Sequence, residues 1–316
     1  METGLLFTSD DLRRQGEEHP ERRAGPAGDL QRLRRGIYAD AGTWRTASLD
    51  GRYLLRILAA EARLQTPHVF SHESALRLLD LPSLRPWPAV VHVIDERRGG
   101  GRSRGDVVRH SVWLDAIDVM PVDDLACTSP ARTALDLALG RSFSEAVVVA
   151  DAVVARYPGG QEDLAELLRL LPPGTRGIRR ACRVASFADA RSQSPGESWS
   201  RALIAELGFA APSLQQPIFL NGRRVGIVDF EWTRDRIVGE FDGEVKYRRA
   251  DYLQGRAPEQ IVIEEKNREN AIRRTGRNVV RWTWDDLRDR RRLAALLTDA
   301  GVPRQGTAAR RSPSAP

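Results

Sequence analysis

One stretch constrains this chain more than any other: Val225 to Tyr247, VGIVDFEWTRDRIVGEFDGEVKY. Two runs rich in β-branched and aromatic residues flank the polar turn Thr233-Arg234-Asp235-Arg236, which predicts a β-hairpin. Side chains alternate along a strand. One face then carries Val228, Phe230, Trp232, Ile237 and Phe241, and the other carries Asp229, Glu231, Glu240 and Asp242. With those four turn residues as the loop, Trp232 faces Ile237 and Asp229 faces Glu240. Facing side chains have Cβ atoms roughly 4.5–5.5 Å apart, where like charges destabilise the pair. A chain with a net charge of +6 has put no basic residue among these four acidic positions. They read either as a solvated acidic face or as a cation site. Hard divalent ions such as Mg²⁺ or Mn²⁺ are held by carboxylates, waters and substrate phosphates.

Lysine usage points to the same region. Of 49 basic residues only two are lysines, Lys246 and Lys266, and both follow the acidic hairpin closely. Lysine is a compact charge with a movable pKa, whereas arginine stays protonated. A site that needs a positioned ammonium cannot make that exchange.

An Asp, about ten residues, then Glu-x-Asp with lysine close behind resembles the PD-(D/E)xK nuclease core, and most closely its very-short-patch-repair-like branch. The matching residues are Glu197, Val228-Asp229-Phe230, Glu240-Phe241-Asp242-Gly243, Glu265-Lys266-Asn267-Arg268-Glu269 and Val280-Arg281-Trp282-Thr283-Trp284. The resemblance covers residues 195–300. It implies a metal site at Asp229 and Glu240, with Asp242 or Glu197 assisting, and Mg²⁺ or Mn²⁺ as the cofactor. The usual Glu-x-Lys reads Glu-x-Asp here, so the lysine has to be Lys246 or Lys266. Glu197 also has a structural reading, because Ser194-Pro195-Gly196-Glu197 is a capping box. The sequence here predicts a helix, three strands, a helix, a strand and a final helix to Asp299.

At 316 residues the chain is long enough for two domains or more. A sequence pI near 9.9 suits an acidic partner, nucleic acid first. Two cysteines, Cys127 and Cys182, define no disulfide framework. The amino terminus lacks the features of a signal peptide. The longest apolar stretch, around Ala146 to Ala155, is interrupted by Asp151 and is too short to span a bilayer. These features together predict a cytoplasmic protein that does not engage a membrane.

Residues 1–48 read as a small winged helix, with Thr8 or Ser9 capping a first helix through Arg14. The basic run Arg32-Leu33-Arg34-Arg35-Gly36-Ile37-Tyr38 is the wing, and Arg32, Arg34 and Arg35 are its candidate DNA contacts. A recognition helix belongs near Glu17 to Leu30, but Pro20, Gly25, Pro26 and Gly28 interrupt that segment. The first 50 residues hold eight arginines against nine acidic residues, so this module is not basic.

Residues 49–175 read as a small α+β domain. Its features are a helix over Leu54–Leu64, a helix capped by Ser71, paired strands over Pro88–Asp95 and Asp106–Leu114, and a Ser129-Pro130 helix start. The basic loop Arg97-Arg98-Gly99-Gly100-Gly101-Arg102 lacks the ending of a phosphate loop. The histidines, His19, His68, His72, His92 and His110, are scattered through the sequence and predict neither a zinc site nor a histidine base.

The sequences F-T-x-x-D-L, L-x-R-L-R-R-G-x-Y and T-S-P-A-R-T-x-x-D-L-A, the last at Thr128–Ala138, resemble the amino-terminal and central domains of AbiE-type abortive-infection antitoxins, over residues 1 to about 140. That resemblance implies DNA binding and a nucleotidyltransferase toxin as partner.

The expected architecture is multidomain α/β: a winged helix-turn-helix, a small α+β domain, a linker over 176–194, an α/β/α restriction-endonuclease-like domain with a central mixed sheet over 195–300, and a disordered tail over 301–316. The expected activity is metal-dependent phosphodiester hydrolysis. The alternatives are an antitoxin and repressor whose nuclease fold is degenerate, and a purely structural protein–protein module.

Overall fold

The structure is a computed structural model. It describes residues 6–306 except 18, 26–27, 96–104, 113 and 244–257. The chain divides into two compact units, residues 1–142 with 156–186, and residues 143–155 with 187–316. Both contain helices and sheet. No helix among the described residues is long and apolar enough to cross a membrane.

The first unit begins with β1 (Phe7–Thr8), α1 (Ser9–Arg14), α2 (Pro20–Arg23), β2 (Leu30–Arg34), β3 (Ile37–Asp40) and α3 (Ala41–Thr46). The Thr8 hydroxyl accepts the Asp11 N–H, and the Asp11 carboxylate accepts the Thr8 N–H, which fixes the start of α1. The three strands form an antiparallel sheet in the order β1-β3-β2. Among the described residues of the segment expected to hold a recognition helix, only the four of α2 are helical. Proline sets the start of this turn, and the glycines after it remove helix propensity. Gly36 closes the β2–β3 turn at φ +74, a conformation that glycine adopts without strain.

The chain continues with α4 (Leu49–Glu61), β4 (Val69–Phe70), α5 (His72–Leu78), β5 (Val91–Ile94), β6 (Val107–His110), β7 (Val119–Val122), β8 (Leu125–Thr128) and α6 (Pro130–Gly140). Five strands form a mixed sheet, β6-β5-β4-β8-β7. The strands β5 and β6 pair in parallel, with Val91 beside Val107 and Ile94 beside His110. The basic loop at residues 97–102 lies outside the described residues.

Next come α7 (Phe143–Arg156), α8 (Gly160–Leu170) and α9 (Ile178–Phe187). Here the domain expectation needs correcting. All of α7 except Arg156 belongs to the second unit, and the supposed linker is largely helix α9. Ala181, Val184 and Ala185 bury one stripe of α9, and the Arg180 guanidinium donates to the carbonyls of Ala138 and Leu139. Asp151, read from sequence only as a break in an apolar run, is the partner of Arg201, with Nη2–Oδ1 at 2.6 Å.

The second unit is completed by α10 (Pro195–Glu206), β9 (Ser213–Leu220), β10 (Arg223–Trp232), β11 (Ile237–Phe241), α11 (Pro258–Arg274), β12 (Asn278–Trp282), α12 (Trp284–Arg288) and α13 (Arg290–Asp299). The sheet order is β12-β11-β10-β9. The first three strands in sequence form an antiparallel meander, and β12 returns parallel to β11. The single final helix expected from sequence is broken at Asp289, whose carboxylate caps α13.

Two apolar clusters sandwich this sheet. Phe230, Trp232, Ile237, Phe241 and Trp282 pack with Leu203 and Ile204 of α10, Leu287 of α12, and Leu293 and Leu297 of α13. Val228, Ile218, Val238 and Val279 pack with Ile272 of α11. The tail does not begin at 301 as expected. Val302 is buried in the first cluster, and the Ala210 N–H donates to the Pro303 carbonyl at 2.8 Å.

Candidate functional site

The hairpin forms as its turn predicts, with Trp232 opposite Ile237 and Phe230 opposite Gly239. The Phe230–Gly239 pair is the last in the ladder, so the expected Asp229–Glu240 pair does not form. Instead the Phe241 N–H donates to Asp229 Oδ2 at 2.9 Å.

The single apolar face read from the sequence is divided at the same place. Val228 packs with Ile218 on the α11 side, and Phe230 packs with Leu214 on the α10 side. The facing strand β9 is irregular at the same level. Gln215 stands between the pairs Val228–Gln216 and Phe230–Leu214, and its φ is +51. A left-handed residue inside a strand interrupts the alternation of side chains.

That interruption gathers three polar side chains. Gln215 Nε2 donates to Glu197 Oε2 at 2.9 Å and reaches Asp229 Oδ1 at 3.5 Å. Glu197 is 9 % exposed. Its carboxylate also accepts the Gln193 N–H at 3.0 Å and the Ser194 hydroxyl at 2.8 Å. Glu197 therefore closes the cap of α10 and shares the Gln215 amide with Asp229. Gln215 was not foreseen. Its signal, a Gln-Gln pair in a strand, is silent without the backbone twist.

The other acidic residues of the hairpin are not an unpaired cluster. Glu240 is 7 % exposed, and its carboxylate lies 2.8 Å from Arg268 Nη2 of α11 and 2.8 Å from Arg281 Nη2 of β12. Arg281 stands beside Glu240 because β11 and β12 pair in parallel at that register. Glu231 is held by Arg277 at 2.8 Å. Asp242 is half-buried just past β11, and its N–H donates to the Trp282 carbonyl at 2.9 Å. Lys266 is exposed on α11. Lys246 and the side chain of Glu265 lie outside the described residues.

This arrangement decides which residues suit a divalent ion. Glu197 and Asp229 offer carboxylate oxygens of the kind Mg²⁺ or Mn²⁺ accepts, and the Gln215 amide, which now turns its NH₂ to both, would add its oxygen only by flipping over. The Gln215 amide hydrogens already bring two carboxylates together, as a cation would. Glu240 does not fit as a shared ligand with Asp229, because two guanidinium groups already meet its charge.

The candidate DNA contacts of the first unit divide in a similar way. Arg32 and Arg35 are exposed, while Arg34 is 15 % exposed and pairs with Asp106 at 2.7 Å.

A second constellation was missed entirely. His72, His92 and His110 each turn one ring nitrogen inward, and the three nitrogens lie within 4.8 Å of one another. Burial holds His72 down at about 2 and His92 at about 4, and lowers His110 as well, so the rings are neutral at pH 7. No zinc spacing shows along the chain, because the parallel β5–β6 pairing and the β4–α5 junction assemble the trio.

No family model matches the chain. Over 279 residues it is 27 % identical to two proteins of Mycobacterium tuberculosis, the uncharacterized protein MT2308 of strain CDC 1551 and the uncharacterized protein Rv2248 of strain H37Rv. Each alignment covers 85 % of this chain and 92 % of the relative. Among solved structures, the Rv2827c protein of the same species aligns with a TM-score of 0.40 at 16 % identity, over 70 % of this chain and 85 % of that one.

Proposed function

We propose that the second unit is a nuclease-like module acting on nucleic acid, with the Glu197–Gln215–Asp229 cluster as its working centre and phosphodiester hydrolysis as its reaction. The observation that carries this reading is the convergence of two carboxylates, one from a helix and one from a strand, on one amide where the sheet breaks its own alternation. The order of helix, antiparallel meander, helix and parallel fourth strand supports it as a PD-(D/E)xK-like core.

Glu197 and Asp229 would hold Mg²⁺ or Mn²⁺, with the Gln215 amide flipped so that its oxygen replaces the NH₂ it now turns to them. Such an ion supplies charge neutralisation on the scissile phosphate. The chain's own residues do the positioning. The Phe241 N–H fixes one oxygen of Asp229, and the Gln193 N–H and Ser194 hydroxyl fix Glu197, so neither carboxylate has to be ordered when substrate binds. Lys266 offers an exposed ammonium to the phosphate backbone. Glu240 anchors Arg268 and Arg281 instead of binding metal.

In this reading the first unit supplies DNA affinity through Arg32 and Arg35, as a winged-helix-like module of the antitoxin type. The guanidinium pair on Glu240 favours one second reading, an antitoxin and repressor with a degenerate nuclease fold and a nucleotidyltransferase toxin as partner.

The test is nicking of supercoiled DNA in Mg²⁺ or Mn²⁺ by the full chain, beside Asp229→Ala prepared identically. Metal-dependent nicking that the variant loses supports hydrolysis at this cluster. Binding to DNA without nicking by the wild type gives the second reading. Equal nicking by both proteins removes the cluster from the reaction.

A further inference from the structure

We infer that His72, His92 and His110 form a binding site for a zinc-class transition-metal ion, separate from the carboxylate cluster of the second unit. Imidazole is a good ligand for Zn²⁺ and its neighbours in the first transition row, and three histidines leave one coordination position for water or substrate.

The topology builds this trio. His92 on β5 and His110 on β6 lie on neighbouring parallel strands, where Ile94 pairs with His110 and His92 with Val108. That places both histidines on one face, close to each other along the sheet. The Ser71 N–H donates to the His92 carbonyl at 3.1 Å, and this fixes the start of α5 against β5. His72 follows at once, with φ +50. A left-handed non-glycine residue is uncommon and is retained where the surroundings demand it. Here it lays the His72 ring against His110, with centroids 3.9 Å apart and planes 13° apart.

The outer nitrogens of His92 and His72 have partners, and the inner nitrogens of the trio face each other. His92 Nε2 lies 3.4 Å from Glu73 Oε2, and Glu73 is itself paired with Arg141. A carboxylate beside the outer nitrogen is the arrangement that orients metal-bound histidine and keeps its inner nitrogen unprotonated. His72 Nδ1 lies 3.1 Å from the Ser71 hydroxyl, which leaves Nε2 for a ligand bond. His92 Nδ1 and His110 Nε2 are 3.0 Å apart. In a tetrahedral zinc site with bonds of about 2.0–2.1 Å, ligand nitrogens lie about 3.3 Å apart. A metal ion would take the place of the His92–His110 hydrogen bond, with the His110 proton moved to its Nδ1 so that both inner nitrogens are free to ligate, and with a small rotation of the rings to converge on the ion. All three residues are only partly buried, so an ion can enter.

The experiment uses tag-free full-length protein stripped with chelator, titrated with ZnCl₂ by calorimetry, and then examined by X-ray absorption at the zinc edge. The expected result is one Zn²⁺ per chain bound through these residues, with three imidazole ligands in the absorption spectrum. Glu73→Gln should weaken binding about 10–100-fold, as loss of an outer carboxylate does. His92→Gln and His110→Gln each remove a ligand and should weaken it further, while Asp229→Asn leaves it unchanged. The inference is overturned if the folded wild type binds no zinc at millimolar concentration. It is also overturned if the spectrum shows fewer than three imidazoles, or if the two histidine variants bind as tightly as wild type. The wild-type spectrum decides the matter even where a variant fails to fold.

Discussion

Asp229 accepts the backbone N–H of Phe241 at 2.9 Å, one step beyond the last paired residues of the β10–β11 ladder. A side chain thus stands where strand pairing has stopped. The rest of the candidate site follows from that substitution, because it turns Asp229 from a surface acid into a fixed element of the sheet.

The first expectation separates Asp229 from Glu240 by stability. Asp229→Asn keeps an oxygen acceptor for the Phe241 N–H and should cost less than about 1 kcal/mol. Glu240→Gln leaves Arg268 and Arg281 over a buried neutral amide, with Glu269 still beside Arg281, and should cost about 2–3 kcal/mol. Urea denaturation of the three proteins gives the comparison. Equal costs would contradict the role of Glu240 as an arginine anchor.

A second expectation concerns the packing that carries Phe241. A Cβ added to Gly196 would lie 1.9 Å from Phe241 Cε1. Gly196→Ala should therefore destabilise the second unit by about 1–3 kcal/mol through overpacking and shift the end of β11. Thermal unfolding and any nicking activity should both fall. A neutral Gly196→Ala would show that Phe241 is not held against α10 as described.

The third expectation is the weight of Asp151. Its carboxylate is 1 % exposed and bound to Arg201, so Asp151→Ala should cost about 3–5 kcal/mol by leaving a buried guanidinium without its partner. Burial also raises the Asp151 carboxyl, against the pull of Arg201. Replacing both residues by apolar ones of similar size should cost less than removing Asp151 alone, which a double-mutant cycle would measure.

A fourth expectation is a loss of stability in mild acid. In the unfolded chain histidine titrates near 6.5, whereas burial holds His72 at about 2 and His92 at about 4 in the folded chain. Glu73 faces His92, and the charges of Arg132 and Arg141 also disfavour protonation of His72. Above pH 6.5 both states are neutral and titration has no effect. Between 6.5 and about 4 the unfolded chain takes up protons that the folded chain refuses, so stability falls as pH falls. The urea midpoint should be lower at pH 5 than at pH 7.5, and His92→Gln should reduce the difference. A midpoint that rises on acidification would contradict this.

A fifth expectation uses the salt dependence of DNA binding. On the proposed DNA-binding role, Arg32→Ala and Arg35→Ala should each lower the slope of log affinity against log salt by about 1, each removing one proposed phosphate contact. Arg34→Ala should change it less, because Arg34 already pairs with Asp106.

Much of the local structure was legible in the sequence, because caps, turns and strand patterns are written in neighbouring residues. Thr8, Ser129 and Ser194 start helices, and the Trp232–Ile237 closure follows from a four-residue turn. The site was legible only in part. Asp229 and Glu197 announce themselves as acidic residues in a patterned setting. The Arg281–Glu240 pair depends on a parallel crossover through α11, and Gln215 matters only because of its backbone twist. The histidine trio depends on three elements whose pairing no spacing rule encodes. The supposed linker at 176–194 misled for a related reason, since the short apolar stripe of α9 sits inside an arginine-rich run.

The most direct measurement of the central claim is the Mg²⁺ dependence of DNA nicking by wild type, Glu197→Gln, Asp229→Asn and Glu240→Gln, each confirmed folded. The expected result is loss of activity in Asp229→Asn, a raised Mg²⁺ requirement in Glu197→Gln, and an unchanged requirement in Glu240→Gln. If Glu240→Gln instead raised the requirement while Glu197→Gln did not, the ion would belong to Glu240, and the assignment of the centre to Glu197, Gln215 and Asp229 would be wrong.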